Sequence, residues 1–514
     1  MNIVISLYTP VVDTITGRFG IPCFYETFIK ALQREGNSIF VHVSRQWRAD
    51  YLTMPPDLKA RLDAFKPDLF ILFNNTFYDV TPYYDCPVVV YEVDSPLYYS
   101  NKQALINNVS RYKFVVCQDE AIAMLKEQFG VQESQVIQIP FFSEIQAEDK
   151  EIDSNIVFIG THFTVPGTPS IFNKFHQNNF SDEDRRLMLV LMRKFMENQC
   201  PSTEQLVSSC ENIPKHLLPY VRSEEWLMIF SAYNRVRTIS AVAELGLTIY
   251  GTSSWVKDTY REPWIIMSYN PKQVYSLKHN QDLYNSAKIG ININHLQARS
   301  GFSWRVCDIM ASNACLVSEY KPNISKYFGD VKIPTFSNPH EAYHICKQLL
   351  ADEERRRDIV LASQQVIREK YRFRGVLDSF EQFIGMKLRG EATTPTYEEY
   401  EKVVPPASTQ NNAQNNNPNK SVDQLTSQVS QLKSELSQSE KGKQEAVLLL
   451  RKTQRVLQLQ GMLPSLKRKY MILRLKKAFS LGKRRRRYQE KKRAVKALIQ
   501  EYRDIVSTLS SPSQ

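Results

Sequence analysis

IGININHLQARSGFSWRVCDIMASNACLVSE, residues 289–319, is the stretch on which the fold turns. The β-branched run Ile289–Ile293 reads as a buried strand, followed by a loop ending in Gly301. A helix is expected from about Ser303 to Ser312, and a second strand over Cys315–Ser318. This order sets a helix N-terminus just beyond a strand's carboxyl end, where open parallel sheets bind phosphate-bearing ligands. Arg305 falls in the first helical turn, and Asp308 follows three residues later on the same face. A fixed cation beside free backbone N–H groups suits a pyrophosphate. A carboxylate one turn deeper suits sugar hydroxyls.

Outward from that segment the chain repeats one theme twice. In residues 1–150, apolar β-type runs are expected at Asn2–Leu7, Ser38–Val43, Leu69–Phe73, Val88–Glu92, Phe114–Cys117 and Val136–Ile139, with helical patterns between several of them. Residues 151–390 add strands at Ile156–Gly160, Leu247–Gly251, Ile289–Ile293, Cys315–Ser318 and Val331–Phe336. Near-continuous apolar strands separated by helices imply parallel sheets covered on both faces. Residues 163–235 read as a largely helical insertion in the second domain and a specificity element, and 341–386 as closing helices.

Composition bounds the rest. At 514 residues the chain exceeds one core. Only 17 glycines are present, which argues against a multi-glycine phosphate loop, so contacts to a nucleotide must come from helix ends and side chains. Eight cysteines lack Cys-x-x-Cys pairing, and MNIVISLYTPVVD reads as a first strand rather than a leader. The expectation is reduced thiols in a cytoplasm. No run approaches the roughly 18 apolar residues needed to span a bilayer.

The net charge of +12 is concentrated at one end. Residues 421–514 hold 22 Lys/Arg against 7 Asp/Glu, a balance of +15, which leaves −3 on the first 420 residues. From 391 to 420 the Asn/Gln/Pro-rich sequence reads as a disordered linker. Beyond it Val422, Leu425, Val429, Leu432 and Leu436 follow a 3-4-3-4 spacing, two heptads that make 421–460 a candidate for homo-oligomer contact. Residues 461–500 carry 15 positive charges and 1 negative around an apolar stripe that includes Leu466, Tyr470 and Leu473. A basic amphipathic helix of this kind suits an anionic membrane surface. A merely solvated tail is the competing reading. Nucleic acid is disfavoured, because few aromatics interleave the charges and no recognition module accompanies them.

Several residues bear on chemistry. Gly17 and Gly20, in TGRFGIPCF, form a Gly-x-x-Gly that is either a cleft loop or a simple turn. Asp94, in YEVDSP, follows a strand's carboxyl edge and is a candidate base for an acceptor hydroxyl. A helix-cap role for it, and Glu92 in its place, both stay open. His42 reads as a strand residue. His162 and His295 each lie just past a strand, and Lys288 is either a phosphate partner or a flanking charge. No cluster of His, Cys or acids has metal-ligand spacing, which favours a metal-independent reaction.

The Gly-Phe-Ser-x-Arg motif at 301–305 resembles the donor-binding segment of GT-B glycosyltransferases, in particular the spore-maturation (CgeB-like) branch. The IVFIG strand, the TIYG strand with Trp255 after it, and Tyr284–Ile289 agree with that branch. In better-known members two glutamates eight positions apart flank this helix start. Here Ser300 and Asp308 stand there, so the first acid is missing and the second is shortened. Asn313 replaces the usual closing glycine.

The resemblance implies two Rossmann-like parallel-sheet domains, acceptor-binding at 1–150 and donor-binding at 151–390, with the last helix crossing back to the first domain. It implies transfer of a sugar from a UDP- or GDP-linked nucleotide sugar, with no cofactor. The acceptor would be a surface-glycan, lipid-linked or protein hydroxyl at the cytoplasmic membrane face. Gly160, His162, Gly251, Lys288, His295, Gly301, Phe302, Ser303, Arg305 and Asp308 would bind the donor. Arg305 and Asp94 would act in catalysis, and Gly17 and Gly20 would face the acceptor cleft. An inactive scaffold of the same fold, working through its tail, is the alternative. An epimerase or phosphorylase is a third.

Overall fold

The computed structural model describes residues 1–9, 20–44, 53–163, 180–196, 203–208, 210, 212–223, 225–252, 254–257, 262–272, 276–390 and 395–401. The chain divides into two compact units, Met1–Pro405 and Pro406–Gln514. The second lies outside the described residues, as do Gly17 and the expected tail helices.

The first unit holds two wholly parallel sheets. Strands β1 (Asn2–Tyr8), β2 (Ser38–Ser44), β3 (Leu69–Phe73), β4 (Val88–Tyr91), β5 (Tyr112–Val116) and β6 (Val136–Gln138) belong to the first. Strands β7 (Ser154–Ile159), β8 (Leu247–Tyr250), β9 (Tyr269–Asn270), β10 (Ala287–Asn292), β11 (Cys315–Glu319) and β12 (Thr335–Phe336) belong to the second. Their spatial order is β12-β11-β10-β7-β8-β9. The expected two-domain α/β architecture is therefore present, with β9 added and the last expected strand cut to two residues.

The helices that position the site are α1 (Cys23–Arg34), α2 (Asp119–Phe129), α3 (Asp182–Met196), α4 (Glu225–Val242), α5 (Leu277–Asn285), α6 (Arg305–Ala311), α7 (Pro339–Ala351), α8 (Glu353–Lys370) and α9 (Phe373–Ile384). Side chains of β1 alternate by period two: Ile3, Ile5 and Leu7 face one core with Phe24, Phe28 and Leu32 of α1, while Val4 faces the other with Leu58 and Leu125. Both faces of β3 and β4 are buried throughout, which explains their unbroken apolar sequences LFILF and VVVY. Helix α3 and the start of α4 share a separate small core built on Leu191, Phe195, Trp226 and Phe230.

The chain then returns to the first domain. Helix α9 sets Phe373 and Phe380 against Phe28, with ring centroids 5.7 and 6.4 Å apart, and Lys113 donates to the Phe383 carbonyl at 2.6 Å. Beyond it, β13 (Tyr397–Glu401) pairs in parallel with β2 and completes the seven-stranded order β13-β2-β1-β3-β4-β5-β6. This corrects the linker expected from 391, whose first part contains an ordered edge strand. Tyr400 is buried, its hydroxyl donates to Asp57 at 2.8 Å, and its ring stacks on His42. Among the described residues no helix is long and apolar enough to cross a membrane.

Candidate functional site

The carboxyl ends of both sheets open onto a shared cavity of about 350 Å³. Tyr8 at the end of β1, Val93 and Asp94 after β4, and Cys117 and Gln118 after β5 form one wall. Ile159 at the end of β7 with Gly160 and Thr161 beyond it, Gly251 after β8, and much of the segment from Asn294 to Arg305 after β10 form the other. Parallel sheets gather ligand-binding groups at these ends because loop backbone and helix starts converge there.

The backbone is pinched between β7 and β8. A Cβ placed on Gly251 would lie 2.1 Å from the Gly160 carbonyl oxygen, which also accepts a hydrogen bond from Trp255 Nε1 at 2.8 Å. A Cβ on Gly160 would lie 2.9 Å from Nη2 of Arg305. Glycine at 160 leaves room for this guanidinium, and glycine at 251 lets the two strand ends approach.

Arg305 opens α6, a helix of seven residues that begins two positions later than expected. Its Nε donates to the Ile159 carbonyl at 2.6 Å, and Nη1 donates to Asn292 Oδ1 at 2.9 Å and Ser303 Oγ at 3.1 Å. Ser303 is itself held by Asn292 Oδ1 through its hydroxyl and by Asn294 Oδ1 through its N–H. Burial pulls the Arg305 pKa below its ordinary value, against the favourable charge of Tyr284 and Asp308.

A second guanidinium shares the cavity. Arg235 of α4 is 3% exposed and donates to the carbonyls of Thr161 at 2.6 Å and Ile293 at 2.7 Å. Phe163, held at a φ of 65°, lays its ring 3.9 Å from the guanidinium carbon. The Arg235 Nε has no hydrogen-bond partner. Burial first, and then the Arg305 charge, push the Arg235 pKa well below its ordinary value. Among the described residues neither arginine forms an ion pair; their hydrogen bonds go to neutral oxygens.

Asp94 faces this cavity from the first domain. Its Oδ2 accepts from Asn74 Nδ2 at 2.8 Å, and its Oδ1 accepts from Gln297 Nε2 at 3.1 Å, across the cleft. Burial raises its pKa, opposed by those two amides. Of the two carboxylates open at the sequence level, Glu92 is fully buried beside Tyr99 and does not line the cavity.

Among the other expected residues, Gly160, Gly251, His295, Gly301, Phe302 and Ser303 all line the cavity. His295 accepts from the Gln297 N–H at Nδ1, so Nε2 carries its proton, 3.2 Å from Met228 Sδ. Burial lowers its pKa to about 3, and it is a neutral wall residue. A Cβ on Gly301 would lie 2.7 Å from Gln118 Cβ, which marks how closely the domains approach.

Four expectations need correction. Lys288 lies near the amino end of β10, opposite the cavity, because a strand's two ends cannot both face the cleft. His162 is buried with its ring against Trp255, at 4.9 Å, and does not line the cavity. Gly20 accepts from Thr9 Oγ1 at 3.0 Å and is not among the lining residues, whereas Pro22 and Cys23 are. Asp308 turns to the domain junction instead of toward ligand hydroxyls: its Oδ1 accepts from Ser143 Oγ at 2.6 Å and its Oδ2 faces Cys23 Sγ at 3.6 Å. Burial raises its pKa to about 6.

Ser300, where the resembling family carries an acid, clasps an acid from the other domain. Its hydroxyl donates to Glu120 Oε2, and the N–H groups of Arg299 and Ser300 donate to Glu120 Oε1 at 2.6 and 3.1 Å. Sequence reading missed Arg235, Gln118 and Gln297. The asparagines alternating with isoleucine in ININ signalled only the hydrogen-bond partners of Ser303 and Arg305, since buried polar side chains inside an apolar strand need partners.

Residues 234–382 match a family profile described as Glycosyl transferase-like. No curated protein matches the chain in sequence. Among solved structures, the chain is similar to sucrose-phosphate synthase from Thermosynechococcus elongatus, at 9% identity and a TM-score of 0.45, covering 74% of this chain and 97% of that one. WaaG, a glycosyltransferase involved in lipopolysaccharide biosynthesis, gives 8% identity and 0.41, covering 74% and 100%. T4 phage BGT, in complex with its UDP-glucose substrate, gives 11% and 0.37, covering 75% and 99%. The second parallel-sheet domain, which carries both cavity arginines, is the part of the chain that resembles the glycosyl transferase-like family.

Proposed function

We propose that this chain is a glycosyltransferase. It takes a sugar from a nucleotide-sugar donor, UDP- or GDP-linked, and passes it to a hydroxyl of a glycan, lipid-linked or protein acceptor. The observation that carries this reading is the pair Arg235 and Arg305, two buried guanidiniums at one cavity with no carboxylate partner. Burying a cation with no carboxylate in hydrogen-bond contact is unfavourable, and a second cation beside it adds repulsion that the more distant Asp308 and Glu319 charges offset only in part. A diphosphate in the cavity would offset both. The similarity over 234–382 points the same way.

Chemistry follows from the placement of charge. The bond between sugar and diphosphate breaks as negative charge grows on the leaving phosphate, and preorganised cations stabilise that charge. Two guanidiniums suffice for this without a divalent ion, and no cofactor is required. On the opposite wall Asp94 is the acceptor base, its raised pKa bringing it nearer the working pH and its two amide partners fixing its orientation. Attachment of the basic segment 461–500 to an anionic membrane surface would bring lipid-linked or surface-glycan acceptors within reach.

The test is release of nucleoside diphosphate from a panel of UDP- and GDP-sugars by the full-length protein, with and without mixed glycan acceptors. Turnover of one donor, abolished by Arg305→Ala in a protein that still folds, supports the reading. Nucleotide binding without turnover under any acceptor condition favours the inactive scaffold.

A further inference from the structure

We propose that His340 and His344 form a surface site for a zinc-class divalent ion. The two residues lie one turn apart on α7, both exposed, with their Nε2 atoms 3.4 Å apart and ring centroids 4.4 Å apart. Two bonds of about 2.0–2.1 Å from zinc to imidazole nitrogen, meeting at a tetrahedral angle, hold those nitrogens roughly 3.3–3.4 Å apart. The rings are thus already at the separation of adjacent ligands around one ion. Two histidines at i and i+4 share a helix face, which is why this spacing serves metal sites on helices.

The helix beneath is fixed independently of any metal. Ala342, Cys346 and Leu349 anchor its opposite face in the core of the second domain. Asn338 caps its first turn by accepting from the Glu341 N–H at 3.0 Å, and the Glu341 carboxylate accepts in return from the Ser337 N–H and from Asn338 Nδ2, both at 2.7 Å. The nearest acid is therefore committed to the cap and leaves the imidazole pair to the ion. Among the described residues no third His, Cys, Asp or Glu completes the set, so water fills the remaining positions. The ion would clip the first two turns of α7, which packs on α4, the helix that carries Arg235.

The test is titration of the untagged full-length protein, stripped of metal by chelation, with Zn²⁺ against a chromophoric competitor. One equivalent should bind the wild-type chain, and His340→Ala and His344→Ala should each weaken it at least about tenfold. Zn²⁺ should raise the melting temperature of the wild type but of neither variant, while all three melt alike without metal. Equal binding by all three proteins, or loss in only one variant, overturns the proposal.

Discussion

Arg235 and Arg305 reach the same cavity from different elements, one from α4 and one from the start of α6, and each is held by neutral oxygens instead of a carboxylate. The fold therefore keeps two like charges close together in a poorly solvated place. Such an arrangement is unfavourable in the empty protein and favourable with an anion bound.

The first prediction concerns Arg235, which sequence reading passed over. Arg235→Gln removes the charge but keeps an amide able to reach one of the two carbonyls. Stability without ligand should change by less than about 1 kcal/mol, since loss of hydrogen bonds is offset by removal of an unpaired buried charge. The rise in melting temperature on adding nucleoside diphosphate should disappear, corresponding to a loss of about 10–100-fold in affinity. An undiminished rise would separate Arg235 from the anion site.

Asp94→Asn tests the base. Asparagine can keep the bridge from Gln297 while losing the proton acceptor. Turnover should fall about 10²–10⁴-fold, with donor affinity held within about twofold. A matching loss of donor affinity would make Asp94 a binding residue.

Asp308 predicts a pH dependence of stability. Its pKa rises from 3.8 to about 6 in the fold. A raised folded value means that the group stabilises the fold fully below the unfolded pKa and loses that contribution as pH rises through about 6. Asparagine mimics the protonated form. Asp308→Asn should match the wild type near pH 4 and exceed it at pH 7.5, by up to about 3 kcal/mol at roughly 1.4 kcal/mol per unit. Thermal melts of both proteins at the two pH values measure this difference. A constant difference would show that the carboxyl does not titrate between them.

Gly251→Ala tests the pinch between β7 and β8. The added methyl group meets backbone at 2.1 Å, so a strand end must move. The expected cost is about 2–4 kcal/mol, read as a lower melting temperature, together with weaker nucleotide binding as Gly160 shifts beside Arg305.

The sheets were legible because parallel strands buried on both faces have unbroken apolar sequences, as in LFILF and VVVY. Strand β13, YEEYE, was not: it lies at a sheet edge, where Glu398 meets Arg61, and its sequence carries no apolar run. At the site, the 301–305 motif lies at the cavity because a loop beyond a parallel strand has little choice of place. The place of Asp308 was not legible because its partners, Ser143 and Cys23, come from distant parts of the chain and draw its carboxylate to the domain junction. Arg235 was invisible because polar and apolar residues are interspersed along α4 without a clear face, and nothing local shows which of its charges faces inward.

The most direct test of the central claim is calorimetric titration of the full-length protein with UDP, GDP and their sugar conjugates. The account predicts micromolar binding of one nucleotide, lost in both Arg305→Ala and Arg235→Gln while the proteins stay folded. Absence of binding by the folded wild type to every nucleotide, or binding that survives both substitutions, would contradict it.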